Sequence, residues 1–150
     1  MSKLKIGDTA PAINSVDQNN ESITLDQFKG KKVVLYFYPK DMTPGCTIQS
    51  CNLRDNHKVL LDKGYVVLGC SVDSPERHVK FIGKYDLPFS LISDEVKKVV
   101  KDYGVWGHKK FMAKEYMGIN RTTFIIDEKG IIEDIIEKVK TKEHASQIIN

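Results

Sequence analysis

The chain predicts an α/β fold in which a mixed central β-sheet carries helices on both faces, and three observations lead there. Residues 33–38 and 65–72 are continuous apolar, β-branched and aromatic runs, the pattern of strands buried on both sides. Each run is followed by a helix start written as a capping residue and a proline, Thr43-Pro44 and Ser74-Pro75. Further along, two apolar segments flank Glu128-Lys129-Gly130 and read as a hairpin, which adds antiparallel strands to a parallel core.

Taken in order, residues 14–28, with Ile23 and Leu25 alternating, predict a short N-terminal extension of strand and turn. The strand at 33–38 ends at Pro39. Thr43 is a good N-cap and Pro44 suits the first helical position, which makes Cys46 the third residue of a helix running to about residue 63 and stopping at Gly64. The second buried strand, 65–72, leads to the helix capped by Ser74. A short strand at 89–92 follows, then a helix capped by Asp94 and running to residue 103. Strands at 122–127 and 131–137 form the hairpin, and Thr141 caps a final helix.

Composition narrows the function classes. At 150 residues the chain predicts one domain, large enough to bury roughly 70% of its unfolded surface. Its longest apolar runs fall well short of the roughly 20 residues of a membrane span, and residues 1–5 lack a signal-peptide core, so a cytoplasmic protein is expected. The net charge of +3 is small and its basic residues are interleaved with acidic ones, which gives no support to nucleic-acid binding. Three cysteines, an odd number, argue against a disulfide framework and for catalytic, metal-binding or inert thiols.

Of these, Cys46 stands out. A thiol in the first turn of a helix faces unpaired backbone N–H groups and the positive end of the helix dipole, which favours the thiolate. Cys51 lies five residues on. An ideal helix would set the two about 140° apart around the axis and separate their Cα atoms by about 8.6 Å. A disulfide bridges no more than roughly 7 Å, so any reaction between the two thiols requires the helix to unwind. Ser50, Leu53, His57 and Leu60 follow Cys46 at helical steps and predict a core-facing stripe, while Cys51 shares its side with Asp55 and Lys58. A sheltered first thiol and a more exposed second one suit a two-step redox cycle.

The segment Pro39-Lys40-Asp41-Met42-Thr43-Pro44-Gly45-Cys46 matches the Pro-x-x-x-Thr-x-x-Cys pattern of the peroxiredoxins, and residues 36–55 resemble the bacterioferritin comigratory protein or Q-type subfamily. The likeness extends from Gly7-Asp8-Thr9-Ala10-Pro11 through residues 69–75 and 103–107 to residues 118–124. It implies a thioredoxin-like fold and a thiol peroxidase acting on hydrogen peroxide and organic hydroperoxides, without metal or cofactor and recycled by thioredoxin. It further implies that Cys46 is the peroxidatic cysteine, that Thr43 and Arg121 complete the site, that Pro39 shields it, and that Cys51 resolves the sulfenic acid as a Cys46–Cys51 disulfide. Q-type relatives are commonly monomeric, and weak dimers occur in the superfamily. Tyr36, Tyr38, Trp106 and Phe111 are the apolar and aromatic residues expected to shape the peroxide pocket.

Other readings compete residue by residue. Thr43 alone could be a helix cap, Arg121 a rim ion pair, Cys51 a surface thiol and Cys70, set between Leu68 and Val72, part of the core. His57 would sit ~16 Å along the helix from Cys46, too far to serve as its base. Zinc held by Cys46, Cys51 and either His57 or Cys70 is disfavoured because Cys-x₄-Cys on a single helix is not the usual paired knuckle. A thioredoxin-type oxidoreductase would normally need a Cys-x-x-Cys, which is absent.

Overall fold

The structure is a computed structural model that describes residues 4–149. Its central sheet has seven strands in the order β2-β1-β5-β4-β3-β8-β9, and a separate two-stranded ribbon is formed by β6 and β7. The strands are β1 (Asn14–Val16), β2 (Ser22–Thr24), β3 (Lys32–Phe37), β4 (Tyr65–Ser71), β5 (Ser90–Ser93), β6 (Trp106–Phe111), β7 (Lys114–Ile119), β8 (Thr122–Ile126) and β9 (Ile132–Ile136). Strands β3, β4 and β5 run parallel, whereas β1 against β2 and β5, β8 against β3, and β9 against β8 are antiparallel. The mixed sheet is therefore the one the sequence predicts.

Strand alternation divides the core in two. From β3, Val33, Leu35 and Phe37 point into one cluster with Leu68, Cys70, Phe124 and the α4 (Lys98–Asp102) residues Val99 and Val100. Val34, Tyr36 and the following Tyr38 point into the other. That second face is covered by α1 (Pro44–Asp55), α2 (His57–Asp62), α3 (Pro75–Tyr85) and α5 (His144–Ile149), through Leu53, Leu60, Phe81, Ala145 and Ile148. The chain steps β3, β4, β5 in one direction, so crossovers of one hand put α1 and α3 on the same side.

Several local expectations are corrected. The long helix to residue 63 is interrupted at Asn56, whose backbone leaves the helical region at φ −111°, ψ 11° and whose side-chain amide donates to the Asn52 carbonyl at 2.8 Å. The break rotates His57 out of the predicted stripe. Cys46, Ser50, Leu53 and Leu60 are buried, whereas His57 is half-exposed against the Phe89 ring, its burial lowering its pKa. Asp94 does not begin its helix directly: a turn precedes α4, and the Asp94 carboxylate reaches forward to the Val100 N–H at 2.8 Å. Thr141 opens a 3-10 turn (Thr141–Glu143) instead of capping α5. The N-terminal extension is two strands and a 3-10 turn at Leu25–Phe28.

The β6–β7 ribbon is absent from the sequence reading. Its strands are rich in Lys, His and Glu, and its turn places Met112 and Ala113 at φ 49° and 69° without the Asn-Gly or Asp-Gly that usually marks such turns.

Buried His144 ties α5 to the sheet. Its Nδ1 donates to Gln147 Oε1 at 2.8 Å and its Nε2 accepts from the Thr123 hydroxyl at 2.7 Å, a neutral tautomer that satisfies both partners. Burial pulls its pKa below the ordinary 6.5, and the Arg121 charge adds to that. The unfolded chain therefore binds more protons than the folded one once pH falls below 6.5. Stability should be complete above that pH and decline below it; urea midpoints across pH check this, and His144→Gln, which cannot titrate there, should flatten that part of the curve.

Candidate active site

The connection from β3 into α1 leaves the carboxyl end of the parallel strands, the usual ligand edge of such sheets. Thr43 occupies the N-cap position in extended conformation and Pro44 the first helical position, so Cys46 is the third residue of α1 as predicted. The Thr43 hydroxyl does not cap the helix; it donates to the Lys40 carbonyl at 2.8 Å and closes the loop on itself. Pro39 is half-buried just beyond the strand.

Strand β8 brings the cation. Because β8 is antiparallel to β3, with Thr122 opposite Phe37, its first residues lie at the same edge from which the Cys46 loop departs. Arg121 immediately precedes it. One guanidinium nitrogen, Nη2, lies 3.3 Å from Cys46 Sγ, and Nη1 donates to Gln49 Oε1 at 2.5 Å. Cys46 is fully buried, and a guanidinium is a cation at every working pH, so the sulfur sits in a positive, water-poor setting.

Cys51 lies on the same uninterrupted helix and is half-exposed, and the three cysteines are free thiols. Cys70 is buried within β4, where loss of solvent, together with the Asp94 carboxylate, pushes its thiol well above the ordinary range. That is the environment of an inert core cysteine. Among the described residues, the single grouping of ligating side chains close enough to share an ion is Asp41, Asp73 and His78, and it includes no cysteine. The zinc reading of Cys46 and Cys51 thus has no geometric support.

Two residues near the sulfur escape the sequence reading. Gln49, one turn beyond Cys46, is fully buried; its oxygen holds Arg121 while its Nε2 finds no protein partner. The signal was its i+3 spacing from Cys46. Lys109 arrives from the β6–β7 ribbon, its Nζ donating to the Ile119 carbonyl at 2.9 Å. Partial burial and the charge of Arg121 lower its pKa, while Cys46 acts the other way. Its long sequence separation left no signal.

A cleft of about 290 Å³ opens beside the loop, lined by Pro39, Lys40, Val72, Trp106, Lys109 and residues 116–119. Trp106 takes part in it, but Tyr36 and Tyr38 do not: both are fully buried beneath α1, where Tyr36 pairs with the Ser50 hydroxyl at 2.9 Å. The Phe111 side chain lies outside the described residues.

Gly45 tests how tightly Arg121 is held. A β-carbon at that position would stand 3.2 Å from Arg121 Nη2. Gly45→Ala should raise helix stability by up to about 1 kcal/mol yet displace the guanidinium and slow thiol oxidation several-fold. Thermal melting and stopped-flow oxidation, moving in opposite directions, check it.

Comparison with known proteins gives a consistent result. Residues 6–135 match the model of the AhpC/TSA family. The chain is 47% identical over 150 residues to peroxiredoxin Bcp of Escherichia coli K12, covering 100% of this chain and 96% of that one. A crystal structure of a Xylella fastidiosa PrxQ cysteine-to-serine mutant superposes with a TM-score of 0.93 at 30% identity, covering 100% and 96% of the two chains. Bacterioferritin comigratory protein of Xanthomonas campestris, studied for alkyl peroxide reduction, superposes at 0.85 with 30% identity over 91% and 87%.

Proposed function

This chain belongs to the AhpC/TSA family as a Bcp-type peroxiredoxin, a thiol peroxidase, and from that premise we propose that Cys46 is its peroxidatic cysteine and Cys51 its resolving one. The observation that carries this is the 3.3 Å approach of Arg121 to a buried thiol in the first turn of a helix. The Cys46 thiolate attacks one oxygen of the peroxide, the O–O bond breaks, and the departing oxygen leaves as water or alcohol after taking a proton. Charge builds on that oxygen along the reaction line. Arg121 and the N–H groups of the first turn of α1 stabilise it where it develops. By family likeness Thr43 and Pro39 complete the site: the Thr43 hydroxyl, whose proton goes to the Lys40 carbonyl, keeps lone pairs to accept from the peroxide, and Pro39 shields it.

The product is a Cys46 sulfenic acid. Its sulfur is attacked by Cys51, water leaves, and a disulfide forms that protects Cys46 from irreversible oxidation. Both cysteines lie on one continuous helix, so α1 unwinds between them for this step. A dithiol, thioredoxin by family likeness, then reduces the bridge. The apolar cleft beside Pro39 and Trp106 favours organic hydroperoxides as well as hydrogen peroxide. By family likeness we read the protein as a cytoplasmic single domain, monomeric or weakly dimeric; among the described residues no helix is long and apolar enough to cross a membrane.

The test is to add one equivalent of peroxide to the reduced protein and map disulfides by mass spectrometry under non-reducing conditions. A Cys46–Cys51 bridge is expected. A bridge through Cys70, or none, would refute the resolving role of Cys51.

A further inference from the structure

Asp41, inside the loop that presents Cys46, is held at every polar atom. Its N–H donates to Asp73 Oδ2 at 2.8 Å and its carbonyl accepts from Arg77 Nη2 at 3.1 Å. One carboxylate oxygen accepts from the Tyr38 hydroxyl at 2.5 Å, and the other meets His78 Nδ1 at 2.6 Å. These partners come from the end of β3, from the segment after β4 and from α3. The next residue, Met42, has φ 65°, a left-handed conformation that a methionine adopts only where its surroundings impose it. Asp41 is the anchor against which that turn is made, and Thr43 and Cys46 follow from it.

The proton count at this anchor is fixed by chemistry. His78 is fully buried, and its other nitrogen, Nε2, lies 3.0 Å from the Ile92 carbonyl, which can only accept. Nε2 therefore carries a proton. The contact between Nδ1 and Asp41 Oδ2 then needs a second proton between them, on either partner, or two lone pairs would face each other at 2.6 Å. With that proton the pair is neutral as a whole. The charged groups packed around it, Asp73 and Arg77, form an ion pair at 3.1 Å and cancel, and the Tyr38 phenol, raised by burial and by the Asp41 charge, stays a donor. Loss of the shared proton leaves a buried negative charge with nothing to balance it.

We propose that Asp41 and His78 are a hydrogen-bonded positioning pair for the Cys46 loop, so that the rate of peroxide attack depends on a buried contact remote from the reacting atoms. The pair touches neither sulfur nor peroxide; it acts by fixing the turn at Met42. The inference rests on the reading of Cys46 as the peroxidatic thiol. It predicts that the rate of peroxide attack follows the integrity of this hydrogen bond, although neither partner reaches the reacting atoms.

Asp41→Asn separates this role from simple packing. The asparagine oxygen still accepts from Tyr38 and its amide donates to His78 Nδ1, so each hydrogen bond keeps a partner. The experiment is the second-order rate of thiol oxidation by hydrogen peroxide, followed by stopped-flow at one fixed pH for the wild type, Asp41→Asn, Asp41→Ala and Cys46→Ser. Asp41→Asn should stay within about threefold of the wild-type rate, whereas Asp41→Ala, still folded by circular dichroism, should react at least about tenfold more slowly. An Asp41→Asn rate as low as that of Asp41→Ala, or an Asp41→Ala rate equal to that of the wild type, overturns the proposal. Oxidation that persists in Cys46→Ser refutes the Cys46 reading instead.

Discussion

Cys46→Ser should abolish peroxide reduction, while Cys51→Ser should consume one equivalent of peroxide and then stop. An alcohol is almost wholly protonated where a thiol can ionise, and oxygen has no counterpart of the sulfenic acid, so the serine variant has neither nucleophile nor intermediate. The loss should reach the uncatalysed background. In Cys51→Ser the first step is intact, because Cys46 keeps its burial, its helix turn and its contact with Arg121. The sulfenic acid should be trappable by a dimedone-type reagent in that variant and should pass to higher oxides with excess peroxide. Coupled turnover with thioredoxin and reductase checks both variants. Sustained turnover by Cys51→Ser would mean that an external thiol resolves Cys46, since Cys70 is sealed in the core.

Arg121→Ala should slow the peroxide step by about 10²–10³-fold, the range found when one preorganised donor is removed from a developing oxyanion, equivalent to ~3–4 kcal/mol. The loss has two parts. In the proposed mechanism the fork stabilises the attacking thiolate and also the charge that builds on the leaving oxygen. Arg121→Lys should recover only some of the rate, because an ammonium restores charge but cannot hold Gln49 Oε1 and Cys46 Sγ with a planar pair of nitrogens. Single-turnover rates at saturating and subsaturating peroxide separate the two variants. An alanine variant oxidised at the wild-type rate would remove Arg121 from the mechanism.

The parts of the molecule legible in its sequence are those governed by local rules. Strands β3 and β4 announced themselves by unbroken apolar runs, and the starts of α1 and α3 by Thr43-Pro44 and Ser74-Pro75; the Ser74 hydroxyl does accept from the Arg77 N–H. Cys46 could be placed on its turn from those rules alone. Arg121 could not: its position beside the sulfur depends on β8 pairing antiparallel to β3, a contact spanning 75 residues that only the family resemblance anticipated. The β6–β7 ribbon was hidden because its strands are charged and its turn is built from Met112 and Ala113. Asp41 and His78 carried no signal either, being 37 residues apart and ordinary in type; their burial and mutual contact arise only when α3 settles over the loop.

The antiparallel placement of β8 has a consequence for how the protein is made. The ribosome delivers Cys46 well before Arg121, and β8 reaches the Cys46 loop only by pairing with β3. Until that strand is threaded into the sheet, the thiol has neither its guanidinium nor its dry surroundings. A growing chain that has not yet received residue 121 therefore presents Cys46 without the guanidinium that the finished fold sets beside it.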